Sequence, residues 1–145
     1  YRKEIKTLGG FIDLINAVSC ELQYKASKLQ DVFAGLSNAM KSPISDFCRI
    51  LSSEFESQVQ PCVPECIYAA LAKCQNIPRS TERHIVQMGL TLGRFDLDGQ
   101  LSELNAVRKE AESALTELRT QQEVKTRNIK TLALCAGAAI VILFI

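Results

Sequence analysis

Tryptophan is absent from this 145-residue chain, histidine occurs once, aromatic residues make up only 6%, and neither sign of charge is in excess, with 17 Lys and Arg against 16 Asp and Glu. Each shortage removes a class of function. One histidine, His84, excludes a multi-histidine metal site or a triad that needs more than one, and by itself it reads as a partly exposed helix residue. A nucleic-acid surface needs surplus cations. Here residues 1–60 hold seven basic and seven acidic side chains and residues 61–130 hold ten and nine, so no block of the chain offers that surplus. Seven Gly and four Pro are too few for collagen-like or proline-rich low complexity, and 47% hydrophobic residues are too many for a disordered chain. Residues 131–145 contain no charge at all. The near-neutral total therefore joins a soluble body, residues 1–130, to an apolar tail, residues 131–145.

What is present is helical periodicity. Leu8, Phe11, Ile12, Ile15, Val18 and Leu22 fall on one stripe over residues 3–25. Leu29, Val32, Phe33, Leu36 and Met40 form a second, with Ser27 as the expected N-cap. Ser42 and Pro43 read as a cap and first helical position before Ile44, Phe47, Cys48, Leu51 and Phe55. Pro61 and Pro64 break the chain before a shorter helix with Cys66, Ile67, Ala70, Leu71 and Cys74, which stops at Asn76-Ile77-Pro78. Ser80 is expected to cap a fifth helix through Ile85, Met88 and Leu92, ending at Gly93. From about Asp98 a last stripe of Leu101, Leu104, Val107, Ala111, Ala114, Leu118 and Val124 meets no Gly or Pro until Gly137. The pattern predicts an all-α fold, an antiparallel bundle of about six helices whose long last helix continues into a C-terminal membrane segment.

Fifteen helical residues rise about 22 Å against a hydrocarbon core of about 30 Å, a short span. Lys125, Arg127 and Lys130 stand just before it and can snorkel, and the tail has no polar face to turn to solvent. The positive-inside rule puts these cations, and with them the body, in the cytosol. The chain opens on Tyr1 rather than Met, and Arg2, Lys3 and Lys6 would suit a further membrane segment upstream, so the natural protein is expected to begin earlier.

No residue pattern indicates catalysis. Cys20, Cys48, Cys62, Cys66, Cys74 and Cys135 read as reduced, small, buried hydrophobes. Cys62, Cys66 and Cys74 with His84 have poor zinc spacing, and no base is assignable next to any thiol. Asp96-Leu97-Asp98-Gly99 lacks the remaining ligands of a calcium loop. Gly9 and Gly10, inside the first helix, mark close helix packing, a kink or the approach of a partner's backbone. No cofactor, metal, small-molecule substrate or nucleic acid is expected; the competing reading is a cytosolic thiol or zinc-binding helical protein.

The stretch from Gly89 to Gln100, GLTLGRFDLDGQ, has a local explanation: Gly93 supplies a left-handed cap and the aspartates cap the next helix. Placed between five helices and a long final helix entering a membrane, it also resembles the signature of the stage III sporulation protein AB family. Glu21-Leu22-Gln23-Tyr24 followed by Lys28-Leu29 is similar to that family's pattern at the end of the first helix, and residues 130–145 to its basic-then-apolar ending. The chain departs from the family in lacking an N-terminal membrane segment and in its cysteine-rich middle, residues 57–80. The resemblance implies a non-enzymatic, membrane-anchored scaffold of the sporulation channel complex, required for spore formation, in the mother-cell membrane around the forespore, with its domain in the mother-cell cytosol. It further implies a likeness to the platform proteins of type II secretion and type IV pilus systems, and other channel subunits, including a cytosolic ATPase, as partners. On that reading Glu21, Tyr24, Arg94, Asp96 and Gln100 are partner-binding candidates, Arg94 and Gln100 as exposed contacts, while Gly89 and Gly93 serve packing and turn geometry.

Overall fold

A computed structural model describes residues 2–25, 28–93 and 96–145. Six helices follow one another: α1 (Arg2–Tyr24), α2 (Leu29–Ala39), α3 (Ile44–Ser57), α4 (Val63–Lys73), α5 (Arg79–Thr91) and α6 (Leu97–Phe144), with no strand among the described residues. Connections of only four to five residues force successive helices to run antiparallel.

The stripes read from the sequence supply most of the core, with the α6 stripe corrected: Leu115, not Ala114 or Leu118, completes its buried seam, and Val124 is exposed. Phe11, Leu14, Ile15 and Val18 of α1 and Phe33 of α2 are fully buried, as are Phe47 and Leu51 of α3, Ile85 and Met88 of α5, and Leu104 and Ala111 of α6. Each large apolar side chain so removed from water contributes about 1.5–3 kcal/mol before conformational entropy is set against it. The Phe33 and Phe55 rings lie 6.0 Å apart and close the α2–α3 hairpin, which Ser52 ties further by donating its hydroxyl to the Gln30 carbonyl at 3.0 Å.

Helix ends differ from expectation in three places. Ser27 lies outside the described residues, and the position preceding α2 is Lys28. Pro43 is the N-cap of α3 rather than its first residue, and the Ser42 hydroxyl donates to the Asp46 carboxylate at 2.8 Å instead of capping the backbone. Ser80 is not a cap either, because α5 starts at Arg79 with Pro78 as N-cap. Ile77 explains that early start. Buried in the core, it anchors the chain immediately before Pro78, whose fixed φ of −61° leads directly into the helix.

α6 is the long element. Its 48 residues extend about 72 Å at helical rise. Leu104, Val107, Ala111 and Leu115 form a buried seam against the body, and beyond Leu118 the helix leaves the body and every residue except Gln122 is exposed. That free portion carries an apolar window with mean hydropathy 1.6, none of it buried, in a helix long enough to cross a membrane.

Candidate functional site

The relative direction of α1 and α6 organises the surface. Ile5, Lys6 and Ile12 share one cavity with Leu115 and Arg119, so the start of α1 lies beside the middle of α6. The two helices are antiparallel, and at equal rise per residue the end of α1 at Tyr24 comes level with the start of α6 near Gln100. Glu21, Tyr24, Asp96 and Gln100, far apart in sequence, therefore occupy the same end of the bundle. That end is the one remote from the apolar run, roughly 45 Å along α6 from Gln100 to residue 131.

Gly93 closes this end. Its φ of +78° is a left-handed conformation that a Cβ disfavours, and its N–H donates to Gln100 Oε1 at 3.2 Å. Asp96 is the N-cap of α6: its backbone is extended, with φ −64° and ψ 174°, and its carboxylate accepts from the Gly99 N–H at 2.9 Å. An acid there also complements the positive end of the helix dipole. The turn is thus bonded within itself, and Gln100, expected as a freely exposed contact, is half-buried and bonded into it. Arg94 lies outside the described residues. Tyr24 is 77% exposed at the end of α1, and the Glu21 carboxylate faces the Lys25 ammonium at 3.6 Å. An exposed i,i+4 pair of that kind contributes only tenths of a kcal/mol.

Gly89, four residues before the turn, is buried against α4. A Cβ there would stand 2.5 Å from Ile67 Cδ1, so α4 and α5 approach as closely as they do because position 89 has no side chain. In α1 the two glycines separate: Gly10 faces Ile44, whose Cγ1 would be 3.1 Å from a Cβ, whereas a Cβ on Gly9 would meet nothing within 4 Å.

Two features escaped the sequence reading. His84 is not partly exposed but buried, its ring 6.2 Å from that of Phe11, and neither ring nitrogen makes a hydrogen bond of normal geometry. Burial, then the neighbouring Arg83 charge, holds its pKa below the ordinary histidine value, against the opposing pull of Gln87 and Glu110. Spacing from Thr81, Ile85 and Met88 was the available signal, since all share one face of α5. The second feature is axial charge segregation. When each body helix is divided at its midpoint, the described residues at the α1 C-terminal end (13–25, 28–34, 50–68, 86–93 and 96–107) hold two basic and nine acidic side chains, counting Asp13, which stands at the division itself and lines a cavity of the other half. The opposite end together with the free part of α6 (2–12, 35–49, 69–85 and 108–130) holds 14 basic and seven acidic.

The cysteines need correction as well. Cys48 and Cys66 are buried, but Cys74 is half-buried and Cys20, Cys62 and Cys135 are exposed. Burial foremost, with Cys74 nearby, pushes the Cys48 thiol up to about 12, and burial also raises Cys66 and Cys74, so these three are poor nucleophiles. Among the described residues no group of three or more His, Cys, Asp or Glu side chains is placed to hold a metal ion. Glu54, a buried carboxylate, is paired with Lys73 across α3 and α4, which is an arrangement for docking helices and not for chemistry.

Comparison with known proteins agrees with this architecture. The sequence profile described as "Stage III sporulation protein AB" matches residues 1–145. A solved structure of stage III sporulation protein AB (SpoIIIAB) shares the fold with a TM-score of 0.75 at 14% identity, over 83% of this chain and 97% of that one. No curated protein sequence matches the chain. The chain belongs to the stage III sporulation protein AB family, a family of structural sporulation proteins, and its role is in sporulation.

Proposed function

We propose that this member of the stage III sporulation protein AB family is a non-enzymatic scaffold, anchored by residues 131–145 in the mother-cell membrane that surrounds the forespore. Its helical body stands in the mother-cell cytosol and links a cytosolic ATPase to the membrane assembly of the channel complex, in the manner of secretion-system platform proteins. The observation that carries this reading is the placement of an acidic end, where the described residues hold two basic against nine acidic side chains and all but the buried Glu54 reach the surface, at the far end of one continuous helix whose other end is apolar enough to cross a membrane. A scaffold needs two separated surfaces and a stiff connection between them, and α6 supplies the connection without a break. Glu21, Tyr24, Asp96 and Gln100 are the proposed partner contacts at that end, with Gly89 and Gly93 holding its shape; Arg94, outside the described residues, is a proposed contact on its sequence motif alone.

The test uses the full chain expressed in sporulating cells, with the complex recovered by affinity and identified by mass spectrometry. Tyr24→Ala and Glu21→Lys are expected to remove the ATPase from the recovered complex while leaving the melting temperature of the purified protein within about 2 °C, since both side chains are outside the core. Recovery of the ATPase with both variants would refute the assignment of this end to it.

A further inference from the structure

We propose that the opposite end of the bundle is a docking surface for anionic lipid headgroups, with Lys6, Lys41 and Arg119 as the phosphate-binding cations, so that the body rests on the membrane that α6 enters. The inference goes beyond anchoring: it gives the membrane a second, electrostatic contact with the folded domain. It rests on the reading of residues 131–145 as membrane-spanning.

Three observations lead to it. At this end a cavity of about 540 Å³ opens between the first half of α1, the α2–α3 turn and α6. Its lining is apolar at Ile12, Met40 and Leu115, and its charged groups are Lys6, Lys41 and Arg119 against the single acid Asp13. All three cations are exposed, and none forms an ion pair with another described residue, so their charge is not neutralised within the fold. Gly9 lines the same cavity with open space where a side chain would be, which leaves the backbone of α1 accessible to a ligand there.

The second observation is the charge segregation itself. Among the described residues, the half of the bundle from which the apolar run emerges, taken with the free part of α6, holds fourteen basic against seven acidic side chains, and of the fourteen Arg49, Lys73 and Arg108 are in ion pairs. A negative surface potential attracts such an array and is screened within about 10 Å at moderate salt, so the array acts only if the body stands close to the bilayer.

The third observation sets that distance. The uncharged run is about 8 Å shorter than a typical hydrocarbon core, a shortfall of roughly five helical residues. Thinning of the bilayer and snorkelling of Arg127 and Lys130 close the gap and draw residues 126–130 into the interface. A headgroup layer of about 5–7 Å then covers approximately residues 122–126 of α6, and Arg119 lies within one helical turn of it. Cations at this height are each expected to raise binding to an anionic surface by roughly fivefold. A neutral or zwitterionic surface offers them nothing comparable.

The test places the full chain in nanodiscs of phosphatidylcholine alone or mixed with phosphatidylglycerol, and follows amide hydrogen exchange in residues 5–13 and 39–45. Exchange there is expected to slow by about tenfold or more in the anionic discs, to return to the phosphatidylcholine rate at high salt, and to lose its lipid dependence in the combined variant Lys6→Gln/Lys41→Gln/Arg119→Gln. The melting temperature of that variant in phosphatidylcholine discs should equal that of the unaltered chain. If it falls, Lys41→Glu alone, in an exposed turn, must still abolish the lipid dependence, or the proposal fails. Equal exchange in both kinds of disc overturns it, and so does equal protection by inorganic phosphate in neutral detergent, which would make the cavity a free-anion site. Elution of the chain without a disc would refute the membrane span instead, a failure distinguishable from both.

Discussion

The approach of α5 to α4 at Gly89 permits a quantitative test of why that position is glycine. Adding a methyl group has two opposing effects. Alanine gains about 0.5–1 kcal/mol over glycine in a helix interior because the unfolded chain loses less freedom. Against that, the new Cβ would lie 2.5 Å from Ile67 Cδ1 and 3.4 Å from its Cγ1, and Ile67 is itself only 1% exposed. Its δ-methyl must leave a filled site, which places the cost in the overpacking range of about 1–3 kcal/mol. The net expectation for Gly89→Ala is a loss of about 1 kcal/mol, or roughly 4 °C in melting temperature for a body of this size.

Ile67→Val separates the terms, because it deletes the one atom closer than 3 Å. Alone it should cost about 0.5–1.5 kcal/mol through lost burial. Combined with Gly89→Ala it vacates the space that the new methyl fills, so the pair should be more stable than the sum of the singles by about 1–2 kcal/mol. Gly9→Ala is the control: with nothing within 4 Å of its Cβ, it should stabilise by about 0.5–1 kcal/mol. Urea unfolding of the full chain in one detergent, followed by helical circular dichroism, measures all four. Additivity of Gly89→Ala and Ile67→Val within about 0.5 kcal/mol would refute the steric account of the glycine.

At the α5–α6 turn, Gly93→Ala must place a Cβ at φ +78°, and Asp96→Ala leaves the Gly99 N–H uncapped; each should cost about 1 kcal/mol by the same unfolding assay. His84 makes the body acid-sensitive: its folded pKa lies below the unfolded value, so stability is full above about pH 6.5 and falls as the pH drops through the folded pKa. His84→Met should flatten that part of the pH–stability curve, and an unchanged slope would contradict the burial of an unpartnered ring. Cys48 acts at the other limit: its folded pKa of about 12 stands above the unfolded value near 9, so its contribution is complete below pH 9 and is lost between pH 9 and 12. The native chain should accordingly react with a thiol reagent at Cys20 and Cys62 long before Cys48, as peptide mass mapping would show.

Helix number, order and core faces follow from periodicity and from the proline and glycine breaks, because a 3.6-residue apolar stripe has few other ways to be buried. Local end geometry was less legible. Ser80 has the composition of a cap, yet the tertiary anchoring of Ile77 starts α5 one residue before it, at Arg79. Exposure of the cysteines was misjudged for a related reason. A thiol is small enough to sit on either side of a helix boundary stripe, so Cys20 and Cys62 carry no compositional sign of facing water.

The charge segregation was hidden by a more general effect. Residues 1–60 and 61–130 are each nearly neutral, and any sum over a contiguous stretch of that length must be, because an up-and-down bundle sends every helix from one end to the other. Some halves carry a strong opposite bias: residues 2–12 hold three basic side chains and one acidic, whereas residues 50–68 hold three acidic and no basic ones. Only the antiparallel fold gathers the halves of like sign, which gives a nearly neutral chain two differently charged ends. A charge distribution made in this way belongs to the topology and to no single segment. Motif reading therefore reached Glu21, Tyr24, Asp96 and Gln100 separately, and the fold places them at one end of the bundle.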